Sequence, residues 1–272
     1  MMRQAGSSAA GSTPTDGPAS PLYVYGVVEA RDDGFLPDTG VGDPPGRIRA
    51  IADGGLAALV SPLPGGAAPG RREDLEAHER VLSEMVQRAT VVPMRFGVVM
   101  DGEEMVRQQL LRRHAPVLEG LLEAVRGRVQ MTLKAFYTGD TLLREVMAAR
   151  PDIARRAAEV QDLSDAESRG VKIWLGEVIA DELERRREAD EQHLLQQVSP
   201  VVDDVRVEPP ANERVALNAQ VLLGRDRRPQ LDAVVNTLTE EGAGRLAFRY
   251  VGPLAPYSFA DMSLESEESP WG

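Results

Sequence analysis

A chain of 272 residues, 42% hydrophobic, 27% charged and 4% aromatic, is long enough for one or two domains with real cores. Its 31 basic and 43 acidic residues leave a formal net charge of −12, which repels phosphate backbones and anionic lipid and so excludes nucleic acid and lipid membrane as natural partners. With 0 cysteines, disulfides, thiolate nucleophiles and cysteine-held zinc or iron–sulfur centres are excluded, and a reducing cytoplasm suits the composition.

Residues 1–20, dominated by Ala, Gly, Ser, Thr and Pro, carry no hydrophobic period and no signal-peptide pattern, and are predicted to be a disordered leader. Nothing downstream approaches the roughly 20 apolar residues that span a bilayer. Leu22 to Glu29 is predicted as a strand, followed by a Gly/Pro/Asp-rich loop from Asp32 to Gly46 and a second strand from Leu56 to Leu63. Arg72 to Ala89 places Leu75, His78, Leu82, Met85 and Val86 on one helical face. Val91 to Met100 is short and β-branched, hence a single buried strand, and Arg95 is the one charge inside it. Asp101 opens a helix running to about Arg126, which Pro116 should kink or split. Val129 to Tyr137 alternates as a strand.

Two helical stretches follow, Thr141 to Gln161 and Ser164 to Gln197. The second is polar all round near Glu184 to Glu188, as expected of a stretch projecting into solvent or facing a partner. Strands are predicted at Val201 to Glu208, Glu213 to Gly224 and Arg245 to Val251, with a helix from Pro229 to Glu241. Gly252 and Pro253 should end the last strand, because proline has no N–H for a ladder. The sum is an α+β protein of two domains: 21–138, a modified ferredoxin-like unit, and 139–262, a ferredoxin-like unit with a long helical excursion. Residues 263–272 read as a solvated acidic tail.

No catalytic or cofactor-binding constellation emerges. His78, His114 and His193 fall on different predicted helices without metal-ligand spacing, and His78 is expected at a domain seam. No Gly-rich loop has the following Lys-Ser/Thr or helix start that phosphate binding needs. Asp203 and Asp204, adjacent on a strand, point to opposite faces. Arg95 is expected either to pair with a helix carboxylate, Glu79 or Glu84, or to mark a protein-docking surface. Asn218 should satisfy a strand edge or turn rather than bind a ligand. Trp174 is seam packing or a partner anchor. Tyr257, Ser258 and Phe259 follow Pro256 in a stiff segment that must pack back on the core or present aromatics to a partner.

Read together, the opening Leu22-Tyr-Val-Tyr-Gly-Val-Val-Glu-Ala30, the helix His78-Glu-Arg-Val-Leu82, the block Pro93-Met-Arg-Phe-Gly97, the strand Leu217-Asn-Ala-Gln-Val-Leu-Leu223 and the ending Gly252-Pro…Pro256-Tyr-Ser-Phe259 resemble the gas vesicle protein F/L family (GvpF/GvpL) over residues 22–260. The resemblance implies the same two-domain architecture and a non-enzymatic accessory or minor structural role in gas vesicle formation. It also implies binding to the hydrophobic major shell protein and to other accessory gas vesicle proteins, in the cytoplasm and associated with the vesicle. Arg95, Phe96, Trp174, Tyr257, Ser258 and Phe259 are the expected protein-binding residues. A small-ligand regulatory module built from paired ferredoxin-like units is the alternative; an enzyme using Arg95, the acids and Tyr257 has fold-level support alone.

Overall fold

The computed structural model describes residues 20–260 apart from 33, 35, 64–68 and 162–164; residues 1–19 of the expected leader and the expected acidic tail lie outside them. Helix and strand combine around two antiparallel sheets.

At the centre of the first sheet lies β1 (Pro21–Glu29), buried along nearly all its length. β3 (Leu56–Pro62) pairs with one edge of it and β2 (Arg49–Asp53) lies beyond β3. The other edge is shared by two short strands placed end to end, β4 (Val91–Pro93) and β5 (Val99–Asp101). A register shift between Val24 and Gly26 resets the alternation of β1. Tyr23, Tyr25 and Val28 therefore enter one core cluster, while Leu22, Val24 and Val27 enter the other. Helix α1 (Arg72–Val86) covers the tyrosine face through Val81, Leu82, Met85 and Val86. The opposite face is covered by α2 (Gly102–Met105), a π-helical segment Val106–Arg112 and α3 (Ala115–Ala124), through Val106, Leu110, Leu111, Leu118 and Leu122.

β6 (Arg128–Tyr137) is an inner strand of the second sheet. It pairs with β8 (Val215–Gly224) and with β9 (Leu246–Leu254), and β7 (Asp204–Val207) flanks β8. The order is β7-β8-β6-β9, antiparallel throughout. Between β6 and β7 run α4 (Thr141–Ala149), α5 (Pro151–Gln161) and α6 (Asp165–Val198). Between β8 and β9 runs α7 (Arg228–Glu241). Leu194 and Val198 of α6 and Leu231, Val235 and Leu238 of α7 join the core that also holds the inward side of this sheet. Among the described residues no helix is long and apolar enough to cross a membrane.

Four elements depart from the sequence-based expectation, each for a local reason. Residues 91–100 are not one strand: Met94 donates its N–H to the Tyr25 carbonyl and Val98 accepts from Val24, so Arg95 to Gly97 loop out between β4 and β5, with Gly97 at φ 95°. β2 was not anticipated; it forms a hairpin with β3 through Gly54-Gly55, where Gly54 takes φ 60°. The expected helix 141–161 is two helices, because the residue before Pro151 is pushed out of the helical region, Arg150 standing at φ −124°, ψ 74°. β9 does not stop at Gly252-Pro253. It continues to Leu254 on the sheet edge, where the register shift between Thr132 and Gln130 carries Gly252 and Pro253 past the ladder between the Thr132–Val251 and Gln130–Leu254 pairs. Pro116 does split its helical stretch, standing at the first turn of α3.

Candidate functional site

The loop leaving β9 runs back between the two sheets. Ala255 and Ala260 are buried, and Tyr257 reaches α1. Its hydroxyl lies 2.7 Å from His78 Nε2 and donates to Glu79 Oε1 at 3.3 Å. On the other side of the imidazole, Nδ1 lies 2.9 Å from the Tyr23 hydroxyl, which accepts the Gly97 N–H at 3.1 Å. With Tyr257 donating to Glu79, its oxygen is open to an Nε2–H, and with Tyr23 accepting from Gly97, its own proton is free to face Nδ1. A neutral imidazole protonated at Nε2 satisfies every member of the relay Gly97 → Tyr23 → His78 → Tyr257 → Glu79. Phe96 completes the cluster, its ring 5.8 Å from His78 and 6.3 Å from Tyr23.

His78 is fully buried on α1. Burial drives its imidazole from 6.5 down to about 4, against an opposing pull from the Met94 backbone. Burial also raises the Tyr23 and Tyr257 hydroxyls and the Glu79 carboxyl. A histidine held neutral in the folded chain takes up a proton more readily once unfolded. Its contribution to stability is complete above about pH 6.5 and is lost as pH falls towards about 4. The loss amounts to about 3 kcal/mol at roughly 1.4 kcal/mol per pH unit. Glu79, raised by burial, acts in the opposite sense, since its stabilising protonation is lost as pH rises. Urea midpoints taken across this window should therefore fall on acidification in the wild type, and less steeply in His78→Phe. Parallel curves for the two proteins would show that His78 is not the group responsible.

The remaining expected site residues divide. The Ser258 N–H donates to Gln130 Oε1 at 3.0 Å, and Gln130 in turn donates to Gln220 Oε1 at 3.0 Å, which ties the loop to β6 and β8. Phe259 is 8% exposed, in the core with Leu222, and the Arg206 guanidinium lies 5.1 Å from its ring centroid. Arg95 is exposed in the loop between β4 and β5, so it is not the buried strand charge expected. Phe96 and Tyr257 meet on His78, whereas Trp174 lies on α6, 50% exposed beside Ile173 at 59%. Asn218 is buried and donates to Glu208 at 3.1 Å. Tyr23 and Gln130 escaped the sequence reading. Nothing in a lone strand tyrosine or glutamine announces a partner more than fifty residues away.

A second concavity, of about 630 Å³, opens at the other end of the second sheet between α4, α6 and the loop before β8. Tyr137 on its floor donates to Asp190 at 2.6 Å, and Arg245 grips Asp190 and Glu145 through contacts of 2.6 to 3.0 Å. Those two carboxylates hold the Arg245 guanidinium well above its ordinary range. Among the described residues no group of three or more His, Asp or Glu is placed to hold a metal ion.

The profile of the gas vesicle synthesis protein GvpL/GvpF family matches residues 21–261, and so spans both sheets. Gas vesicle protein F of a Streptomyces species is 33% identical over 241 residues, 88% of this chain and 99% of the relative. Gas vesicle protein F of a Nostoc species is 28% identical over 71% of this chain and 79% of its own. The crystal structure of the gas vesicle protein GvpF from an Anabaena species superposes with a TM-score of 0.78 at 27% identity, over 90% of this chain and 99% of the other. GvpF from Microcystis aeruginosa has the same fold, with a TM-score of 0.73 at 24% identity over 89% of this chain and 100% of the other.

Proposed function

The chain belongs to the gas vesicle synthesis protein GvpL/GvpF family, and from that premise we propose that it is an accessory or minor structural protein of gas vesicle assembly. In this reading it binds the hydrophobic major shell protein, and other accessory gas vesicle proteins, while the wall is nucleated or extended. It acts in the cytoplasm, associated with the gas vesicle. The observation that carries the reading is the family match across the whole of residues 21–261.

The architecture fits two α+β units. The second combines strand, helices, two strands, helix and strand in the order β7-β8-β6-β9, which suits a ferredoxin-like unit, and the first is a modified relative of it. The boundary is best drawn just before Arg128, because β6 pairs within the second sheet. Of the six expected binding residues, Tyr257 and Phe259 are engaged inside the fold. Client contact is assigned to exposed Trp174 with Ile173, and to Arg95, Phe96 and Ser258 at the mouth of the seam.

A pull-down of co-expressed major shell protein decides it. Wild type should retain the shell protein, Trp174→Ala should retain several-fold less at an unchanged melting temperature, and Tyr257→Ala should retain it while melting lower. Failure of the wild type to capture shell protein or to change its solubility, with normal vesicles in a deletion strain, would defeat the assembly reading.

The second reading, a small-ligand module, draws on the cleft of about 630 Å³, which lies within the ~300–1,000 Å³ of small-molecule pockets. A metabolite screen that raised the melting temperature through binding to the native state alone would favour it.

A further inference from the structure

We infer that the cleft between α4, α6 and the loop before β8 is a docking groove for an apolar helical segment flanked by lysine or arginine, carried by a protein partner. Its walls are apolar: Leu142 and Leu143 from α4, Leu183 from α6 and Pro210 from the loop. Leu143 stays 41% exposed, an aliphatic surface partly open to solvent. A cavity of about 630 Å³ takes the side chains of one helical face rather than a whole helix, the manner in which amphipathic helices lie in grooves.

Charge selects the flanks. Of the two basic residues that line the groove, Arg187 is engaged by Glu184 and Glu191 on its own helix. Asp140, Asp181 and Glu213 then face Arg214 alone, and all four are exposed. An acidic rim around an apolar floor attracts a segment with cationic flanks and repels an acidic one. The groove is also already formed. The Tyr137–Asp190–Arg245–Glu145 cluster fixes the end of β6 against α4 and α6, so little ordering opposes binding. The inference goes beyond the gas vesicle reading. Its failure would leave shell-protein capture to the Trp174 face, and failure of capture would leave the groove untouched.

The test uses the full chain and a fluorescent model peptide of about 15 residues, roughly four helical turns, with a leucine face and lysine flanks. A counterpart with glutamate in place of lysine is run beside it, both followed by anisotropy at moderate salt. The lysine peptide should bind the wild type and the glutamate peptide should not. Asp181→Lys/Glu213→Lys should weaken binding about tenfold, as expected for reversing two surface charges at close range. Leu143→Asp should weaken it comparably. Glu240→Lys/Glu241→Lys, at the far end of α7, changes net charge equally and should leave affinity unaltered. Binding equal in the two double variants, binding of both peptides alike, or no binding by the wild type would each overturn the groove. Should Leu143→Asp fail to fold, the paired charge variants still decide, since all four positions are exposed at the surface.

Discussion

His78→Ala is expected to cost about 4 kcal/mol of folding stability, read as a lower urea midpoint with an unchanged slope. The substitution empties a site with no solvent exposure, ringed by Tyr23, Tyr25, Phe96 and Tyr257, and removal of a buried side chain of this size costs ~2–5 kcal/mol. It also takes a partner from each of two buried hydroxyls, at ~1–3 kcal/mol for a group left wholly unsatisfied. That second penalty is moderated, because Tyr23 keeps the Gly97 N–H and Tyr257 keeps Glu79. His78→Phe separates the two effects: volume is retained and the relay is lost, so about 2 kcal/mol should go. An equal loss in phenylalanine and alanine would mean that the relay, and not the packing, carries this contact. A loss below about 1 kcal/mol in both would mean that the exit loop is held by Gln130 and Phe259 without help from α1.

The same residues show how much of the molecule could be read from its sequence. The helical faces were legible because they follow from spacing: Leu82, Met85 and Val86 recur with His78 at three and four residues, and all are buried. His78 itself was expected on that helical face, and it is buried there. Its partners were not, since Tyr23 and Tyr257 lie 55 and 179 residues away and no local period reports pairing at that distance. The block Pro93-Met-Arg-Phe-Gly97 misled for a definite reason. An apolar run interrupted by one arginine has the composition of a buried strand whether or not three residues loop out of it. The loop turns on Gly97, and only the pairing of Met94 with Tyr25 and of Val24 with Val98 reveals the break. β2 was more accessible than that: Ile48 and Ile51 before a Gly-Gly pair and a second apolar run form a two-residue hairpin signal. The cleft belongs to neither kind. Its walls come from α4, α6 and a loop some seventy residues apart in the chain, each unremarkable alone.

Gly252→Val should destabilise by roughly 3 to 5 kcal/mol, although the position lies on an edge strand where substitutions are ordinarily mild. Two costs coincide there. The backbone stands at φ 147°, a conformation that side chains with a Cβ seldom adopt, worth ~1–3 kcal/mol. A Cβ would also be driven into the Met131 thioether and to 3.0 Å from the Gln130 carbonyl oxygen, and displacing a packed core methionine costs ~1–3 kcal/mol more. Met131 is 1% exposed and joins the same core as Tyr137 and Leu133, so it has little room to yield. The consequence reaches beyond β9, because the residue next to Met131 is Gln130, whose amide holds Ser258 on one side and Gln220 on the other. Valine at 252 should thus loosen the exit loop as well as the strand, and hydrogen exchange at the Ser258, Phe259 and Ala260 amides should quicken along with that of β9. Gly252→Ala, with the same strain and a smaller intrusion, should fall between wild type and valine. If alanine instead matched wild type within about 0.5 kcal/mol, the glycine would be serving neither the bend nor the contact with Met131, and the path of β9 into the loop would have to be set by Pro253 and Pro256 alone.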